Sequence, residues 1–258
     1  MKSLFIRTIS GIAIVILTVS AIYFGSIYLA SFIFLLSIIG IHEFYDAVKK
    51  VDVKPVTAAG YISCICFLMN SLGIKWFKVS NIFIIIIIFL LVYYIIKRNV
   101  ELSDIAVTFF SVFYIPFLLQ HIIYLRDSIH VWLIFLIAWG TDTFAYVFGM
   151  LFGKHKLCPK LSPKKTIEGS LGGIIGSMGL TYLFVRYFKL EPYSIYLLIS
   201  FFGSIIAQIG DLTASKIKRI TGIKDFGFIM PGHGGVLDRF DSILFIAPYT
   251  YYLLKYLL

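Results

Sequence analysis

Charge is scarce in this sequence, and acid is scarcer than base. Only 14% of its 258 residues are charged, 13 Asp+Glu against 23 Lys+Arg. Soluble domains carry about a quarter charged residues, so the composition excludes a water-facing globule. Cysteine is almost missing. Three thiols supply no disulfide framework: Cys64 and Cys66 diverge on a helix, and Cys158 stands alone in a basic stretch, which leaves them as packing residues. No long basic tail or aromatic-studded basic face is present, which argues against nucleic acid as a partner. No repeat or low-complexity linker divides the chain, so residues 1–258 read as one domain. Within it, 1–125 forms a scaffold and 126–258 carries the chemistry.

What the chain has in abundance is apolar length. It is 60% hydrophobic, with runs such as Val79 to Ile96 approaching the ~20 residues that a bilayer-spanning helix needs. The N-terminus has Lys2, Arg7 and small residues at Val19-Ser20-Ala21, but apolar character continues past them, so it reads as an uncleaved first span. The expected fold class is all-α, polytopic, with about nine transmembrane helices: 4–24, 26–44, 57–74, 79–96, 104–124, 130–150, 169–188, 194–214 and 240–257. With the N-terminus inside, the outer segments hold only Lys75, Lys78, Arg126, Arg186, Lys189 and Lys255, and every other Lys and Arg falls inside. That asymmetry predicts an N-in, C-out protein. The surplus base, net +10, also suits anionic membrane lipids. Both segments rich in polar residues, Lys154–Gly169 and Lys216–Asp241, then face the cytosol, where nucleotides and Mg²⁺ are available.

Ionisable groups are costly near hydrocarbon and mark function when they occur there. Asp142, in Trp139-Gly140-Thr141-Asp142-Thr143, falls within about 15 Å of the inner end of its span, and Asp211 falls a few residues above Lys216. His42-Glu43 ends the second span and reads as structural. His121 reads as a core histidine with one hydrogen bond. The series Gly169, Gly172, Gly173, Gly176 and Gly179 reads as a surface for close helix approach.

The densest chemistry runs from Gly210 to Asp241. Asp238 and Asp241 are three apart and share a face if the chain is helical there. With Asp211 they make three acids, which repel unless something positive lies between them. Oxygen ligands without paired Cys and His favour Mg²⁺. Around the acids stand Lys218, Arg219, Lys224 and Arg239, with Lys164 and Lys165 in the other polar segment. Metal-bridged phosphates with basic groups neutralising the remaining charge are the arrangement for a polyphosphate. Gly232-His233-Gly234-Gly235 turns tightly and offers backbone N–H groups to an anion. Ser162-Pro163-Lys164-Lys165-Thr166-Ile167-Glu168-Gly169 reads as the start of a helix, with Thr166 as N-cap and the positive helix end near the basic pair.

These residues resemble the phosphatidate cytidylyltransferase, or CDP-diacylglycerol synthase, family. The likeness lies in Ser215-x-Ile217-Lys218-Arg219, then Lys224-Asp225, then Pro231-x-His233-Gly234-Gly235-x-x-Asp238-Arg239-x-Asp241, with Met230 where Leu or Ile is expected. Asp142 and Ser162-Pro163-Lys164-Lys165-Thr166-x-Glu168-Gly169 also look like this family. The resemblance covers roughly the C-terminal half and implies transfer of CMP from CTP to phosphatidate for phospholipid synthesis. It implies a metal site at Asp211 and Asp238 for Mg²⁺, with a second, monovalent cation such as K⁺, and a homodimer in the cell's inner membrane. On that reading Asp241 supports the metal site, and Lys224 and His233 join the catalytic set. His233 and the glycines line the phosphate site. Ser162, Lys164, Lys165, Thr166, Glu168, Ser215, Lys218, Arg219, Asp225, Gly234, Gly235, Arg239 and Asp142 are expected to contact substrate. The rival readings are a CTP-dependent lipid-alcohol kinase, which would use the γ-phosphate, and an ion-coupled transporter, for which the expected internal repeats are missing.

Overall fold

The computed structural model describes residues 2–230, 232 and 234–258, with side chains from residue 10 onward. The chain is mostly helical: α1 (Lys2–Phe24), α2 (Ser26–Val48), α3 (Thr57–Ser71), α4 (Val79–Ile96), α5 (Leu102–Val112), α6 (Leu118–Ile123), α7 (Val131–Phe152), α8 (Ile167–Tyr187), α9 (Tyr193–Ile220) and α10 (Leu237–Leu257). Among the described residues, five helical segments are long and apolar enough to cross a membrane: Ser26–Val51, Val79–Ile96, Leu102–Ile123, Val131–Phe152 and Tyr193–Ile220. The protein is an integral membrane protein. It forms two compact units, Met1–Asp127 with Ile220–Arg239, and Ser128–Arg219 with Phe240–Leu258.

The first unit is built on aromatic and branched side chains. Along α4 only Ile82, Ile86 and Leu90 are buried, a single stripe at four-residue spacing. They pack with Val56, Ala59, Phe67, Ile105 and Val112. Phe83 lies at the centre of a ring cluster, with centroids 5.8 Å from Phe67, 5.8 Å from Phe109 and 5.2 Å from Phe117. Pro116 interrupts the helix ladder, and Phe113–Phe117 form a wider π-helical turn between α5 and α6. A proline has no N–H to donate, and such a turn absorbs the fault. Buried Asp104 accepts from Glu101 N at 3.0 Å and Lys54 N at 2.6 Å, tying the chain before α3 to the start of α5.

The second unit relies on small residues. Gly169, Gly172, Gly173 and Gly176 of α8 lie against Ala145, Phe148, Thr141 and Phe144 of α7, so that a Cβ at any of them would collide. Gly179 meets nothing within 4 Å and is not part of this seam. Close approach of this kind stabilises helix pairs in lipid, where apolar burial alone gives no preference for protein over acyl chain. Buried hydroxyls tie both of these helices to α9: Thr141 of α7 with Ser204 at 2.7 Å, and from α8 Ser177 with Ser200 at 3.2 Å and Thr181 with Ser200 at 3.0 Å.

Two features depart from the sequence expectation. An all-α description omits a small antiparallel hairpin, β1 (Lys156–Cys158) paired with β2 (Ser162–Thr166). And α9 runs to Ile220, so Ser215-Lys216-Ile217-Lys218-Arg219 sits on a helix rather than in a loop. Its backbone bonds continue after the apolar run stops, because helix hydrogen bonding does not depend on side-chain polarity.

Candidate active site

In the second unit the glycine seam fixes the hairpin to the end of α7. Thr166 caps α8, its Oγ1 accepting from Gly169 N at 3.1 Å, as its place before Ile167 predicts. Gly149 and Gly153 leave room for the Thr166 side chain; a Cβ at Gly149 would lie 3.1 Å from its Oγ1. Glu168 accepts from Lys154 N at 3.1 Å, from His155 N at 3.2 Å and from the His155 ring at 2.6 Å. Its own backbone N–H and the His155 side chain hold its carboxyl down at about 2.

Anchored in this way, β2 delivers Lys165 to α9, where its ammonium contacts the Asp211 carboxylate. Ser215, one turn further along α9, donates to the other Asp211 oxygen at 3.4 Å. Arg219, one more turn on, reaches back to the Leu161 carbonyl of the hairpin at 3.4 Å. Gly210 lets α9 touch α10: a Cβ there would lie 2.7 Å from the Asp241 carbonyl. Asp241 is buried and accepts from Ser242 N at 2.7 Å, with the charges of Asp211, Asp142 and Lys218 within electrostatic reach. Four predicted residues, Lys165, Asp211, Ser215 and Asp241, are therefore gathered by three elements. Asp142 lies on an exposed part of α7, and Lys164 is exposed on β2.

In the first unit Asp238 opens α10. Its Oδ2 accepts from Phe226 N at 2.8 Å and Gly235 N at 2.9 Å, which closes the preceding loop. Gly232 and Gly234 adopt left-handed φ of 77° and 87°, and Met230 N donates to Gly234 O at 3.0 Å across the turn. A Cβ on Gly234 would stand 2.8 Å from Asp238 Oδ2. Lys224 and Arg239 are exposed, and Asp225 is half-buried beside Gly234. His233, expected to line the phosphate site, lies outside the described residues. Among those described, no three His, Cys, Asp or Glu side chains gather as a ready ligand set.

Sequence reasoning read one residue as structural without finding its partners. Glu43 of α2 is buried, and its two oxygens accept from Val236 N and Leu237 N, each at 2.9 Å. The only sequence signal was an acid in the last turns of an apolar helix.

Comparison with known proteins covers the stretches that hold these residues and extends beyond them. A model of the cytidylyltransferase family matches residues 5–257. The phosphatidate cytidylyltransferase of Staphylococcus haemolyticus is 37% identical over 254 residues, 94% of this chain and 96% of its own. That of Staphylococcus epidermidis is 35% identical over 253 residues, 94% and 96% of the two chains. That of Bacillus subtilis is 31% identical over 262 residues, 96% of each chain. The similarity thus takes in the N-terminal helices, where the motifs alone gave only length and hydropathy.

Proposed function

The chain belongs to the cytidylyltransferase family, and from that premise we propose how its residues transfer CMP from CTP to phosphatidate, giving CDP-diacylglycerol and pyrophosphate. Phosphatidate brings its own anionic oxygen, so no strong nucleophile has to be generated. That oxygen bonds to the α-phosphorus of CTP, and the bond to the bridging oxygen breaks, with pyrophosphate carrying away the electron pair. The enzyme's work is to bring two polyanions together and neutralise charge as it moves to the leaving group.

The observation that carries this reading is the meeting of Lys165, Asp211 and Ser215, with Asp241 alongside. Asp211 already faces a cation there, the Lys165 ammonium, so its carboxylate suits positive charge. We assign Mg²⁺ to Asp211 and Asp238, oxygen donors of the kind this ion takes together with phosphates and water. When bound, it would neutralise phosphate charge. Asp241 supports that site, and a monovalent cation such as K⁺ belongs to the same assignment. Lys165, Lys218, Arg219, Lys224 and Arg239 screen the triphosphate and the lipid phosphate. Gly234 and Gly235 shape the loop beside Asp238, and Thr166 holds the hairpin that brings Lys165.

Nine membrane crossings with N-in, C-out orientation place this chemistry on the cytoplasmic face of the inner membrane. Support comes from the Lys and Arg asymmetry and from helices at all nine apolar runs. Homodimerisation is part of the proposal on family resemblance alone.

Purified protein with phosphatidate and labelled CTP tests the reading. CDP-diacylglycerol and pyrophosphate should form only when Mg²⁺ is added, whereas lipid phosphate plus CDP would indicate a kinase. Asp211→Ala and Asp238→Ala should each lower turnover by about 10²–10³-fold or more in protein that remains folded. Near-normal turnover in both variants would remove the metal assignment.

A further inference from the structure

Glu43 is a buried carboxylate whose hydrogen bonds, among the described residues, come from backbone N–H groups. The two N–H groups it accepts belong to the last residue before α10 and the first residue in it. Helix N-termini carry unsatisfied N–H groups and partial positive charge, so a carboxylate there is well placed. Most helices take such a cap from a neighbouring Ser, Thr or Asp. Here it comes from a helix 193 residues earlier.

The surroundings are cut to fit this contact. A Cβ on Gly227 or on Gly235 would run into the Glu43 carboxyl group. Gly40, one turn before Glu43 on α2, faces the Leu237 side chain, where a Cβ would lie 3.1 Å from Leu237 Cδ2. So α2 receives Leu237 twice, by its side chain at Gly40 and by its N–H at Glu43. The neighbouring N–H, that of Gly235, goes to Asp238 instead. Two carboxylates thus divide three successive N–H groups of one short stretch of backbone.

We propose that Glu43 is a positioning residue for nucleotidyl transfer, fixing the first turn of α10 and through it the carboxylate of Asp238. The inference rests on the reading of Asp238 given above and names what holds that residue in place. It also explains why position 235 is glycine in this chain.

The test uses the full-length protein in detergent with phosphatidate, CTP and graded Mg²⁺, measuring kcat, both KM values, half-activating Mg²⁺ and melting temperature. Glu43→Gln retains the shape but replaces one acceptor by a donor. Its kcat should fall on the order of 10–100-fold, as for loss of groups that orient metal ligands. Half-activating Mg²⁺ should rise, and kcat should fall by more than KM for phosphatidate rises, since Glu43 itself is assigned no substrate contact. Gly235→Ala approaches the same contact from the other side and should act in the same direction. Glu43→Ala removes the group that the new Cβ strikes, so Glu43→Ala/Gly235→Ala should be no worse than Glu43→Ala alone. Wild-type kcat and Mg²⁺ response in folded Gly235→Ala or Glu43→Gln, or a loss confined to melting temperature, would overturn the proposal. If Glu43→Gln does not fold, Gly235→Ala decides. Full activity in Asp238→Ala would instead sink the reading of Asp238, whatever the Glu43 variants do.

Discussion

Glu168 and Glu43 each gather two backbone N–H groups, but they do so in opposite settings. Glu168 takes Lys154 N and His155 N from 14 and 13 residues away, at a surface where its side chain is 25% exposed. Glu43 takes Val236 N and Leu237 N from 193 and 194 residues away, in an interior where it is 3% exposed. The first contact shapes a local hairpin and can be shared with water. The second joins distant parts of the chain and has no water to replace it. An unmade hydrogen bond is cheap in the first setting and expensive in the second.

Reversing the charge at Glu43 should have the largest effect. Glu43→Lys sets an ammonium against N–H donors at the positive end of α10, a buried unpaired charge costing about 3–5 kcal/mol. Little folded protein should be recovered from membranes, measured by monodispersity in detergent. A hairpin variant should be milder. Thr166→Ala removes the α8 cap and should lower stability by about 0.5–2 kcal/mol, read as a drop in melting temperature with the fold intact. The smallest effect belongs to Glu168. Its carboxyl is held at about 2 in the folded protein, below the ordinary range, so its contribution is present above that range and is lost as pH falls through about 2. Glu168→Gln should therefore lower the melting temperature slightly at neutral pH, converge with wild type as pH falls to about 2, and so flatten the acid side of the stability profile. A loss at neutral pH as large as that of Glu43→Lys would erase the distinction between the two carboxylates.

The same contrast explains what the sequence disclosed. Helices were legible wherever an apolar run approached bilayer length, as in α4 and α7, because hydrocarbon forces the backbone to satisfy itself. The glycine series on α8 was legible as a contact surface, since the missing side chains are themselves the signal. The hairpin was not, because Ser162-Pro163-Lys164-Lys165-Thr166 has neither alternation nor β-branched residues apart from Thr166; its pairing follows from anchors at Thr166 and Glu168. The last turns of α9 were hidden because charge there marks an end to burial, not an end to the helix. Of the site, Asp211 was named as an acid within an apolar span and Lys165 and Ser215 from their motifs, and the three are brought together. The work of Glu43 could not be read, since its partners lie at the far end of the chain and only folding makes them neighbours.

One flank of α4 offers an experimental handle. Only Ile82, Ile86 and Leu90 of this helix are buried, and Ile84, Ile85, Ile88 and Ile95 point outward. A spin label or fluorophore at Ile85 would therefore report on the fluidity and thickness of the surrounding lipid without disturbing the Phe83 cluster, turning an otherwise featureless isoleucine run into a gauge of the bilayer in which the enzyme works.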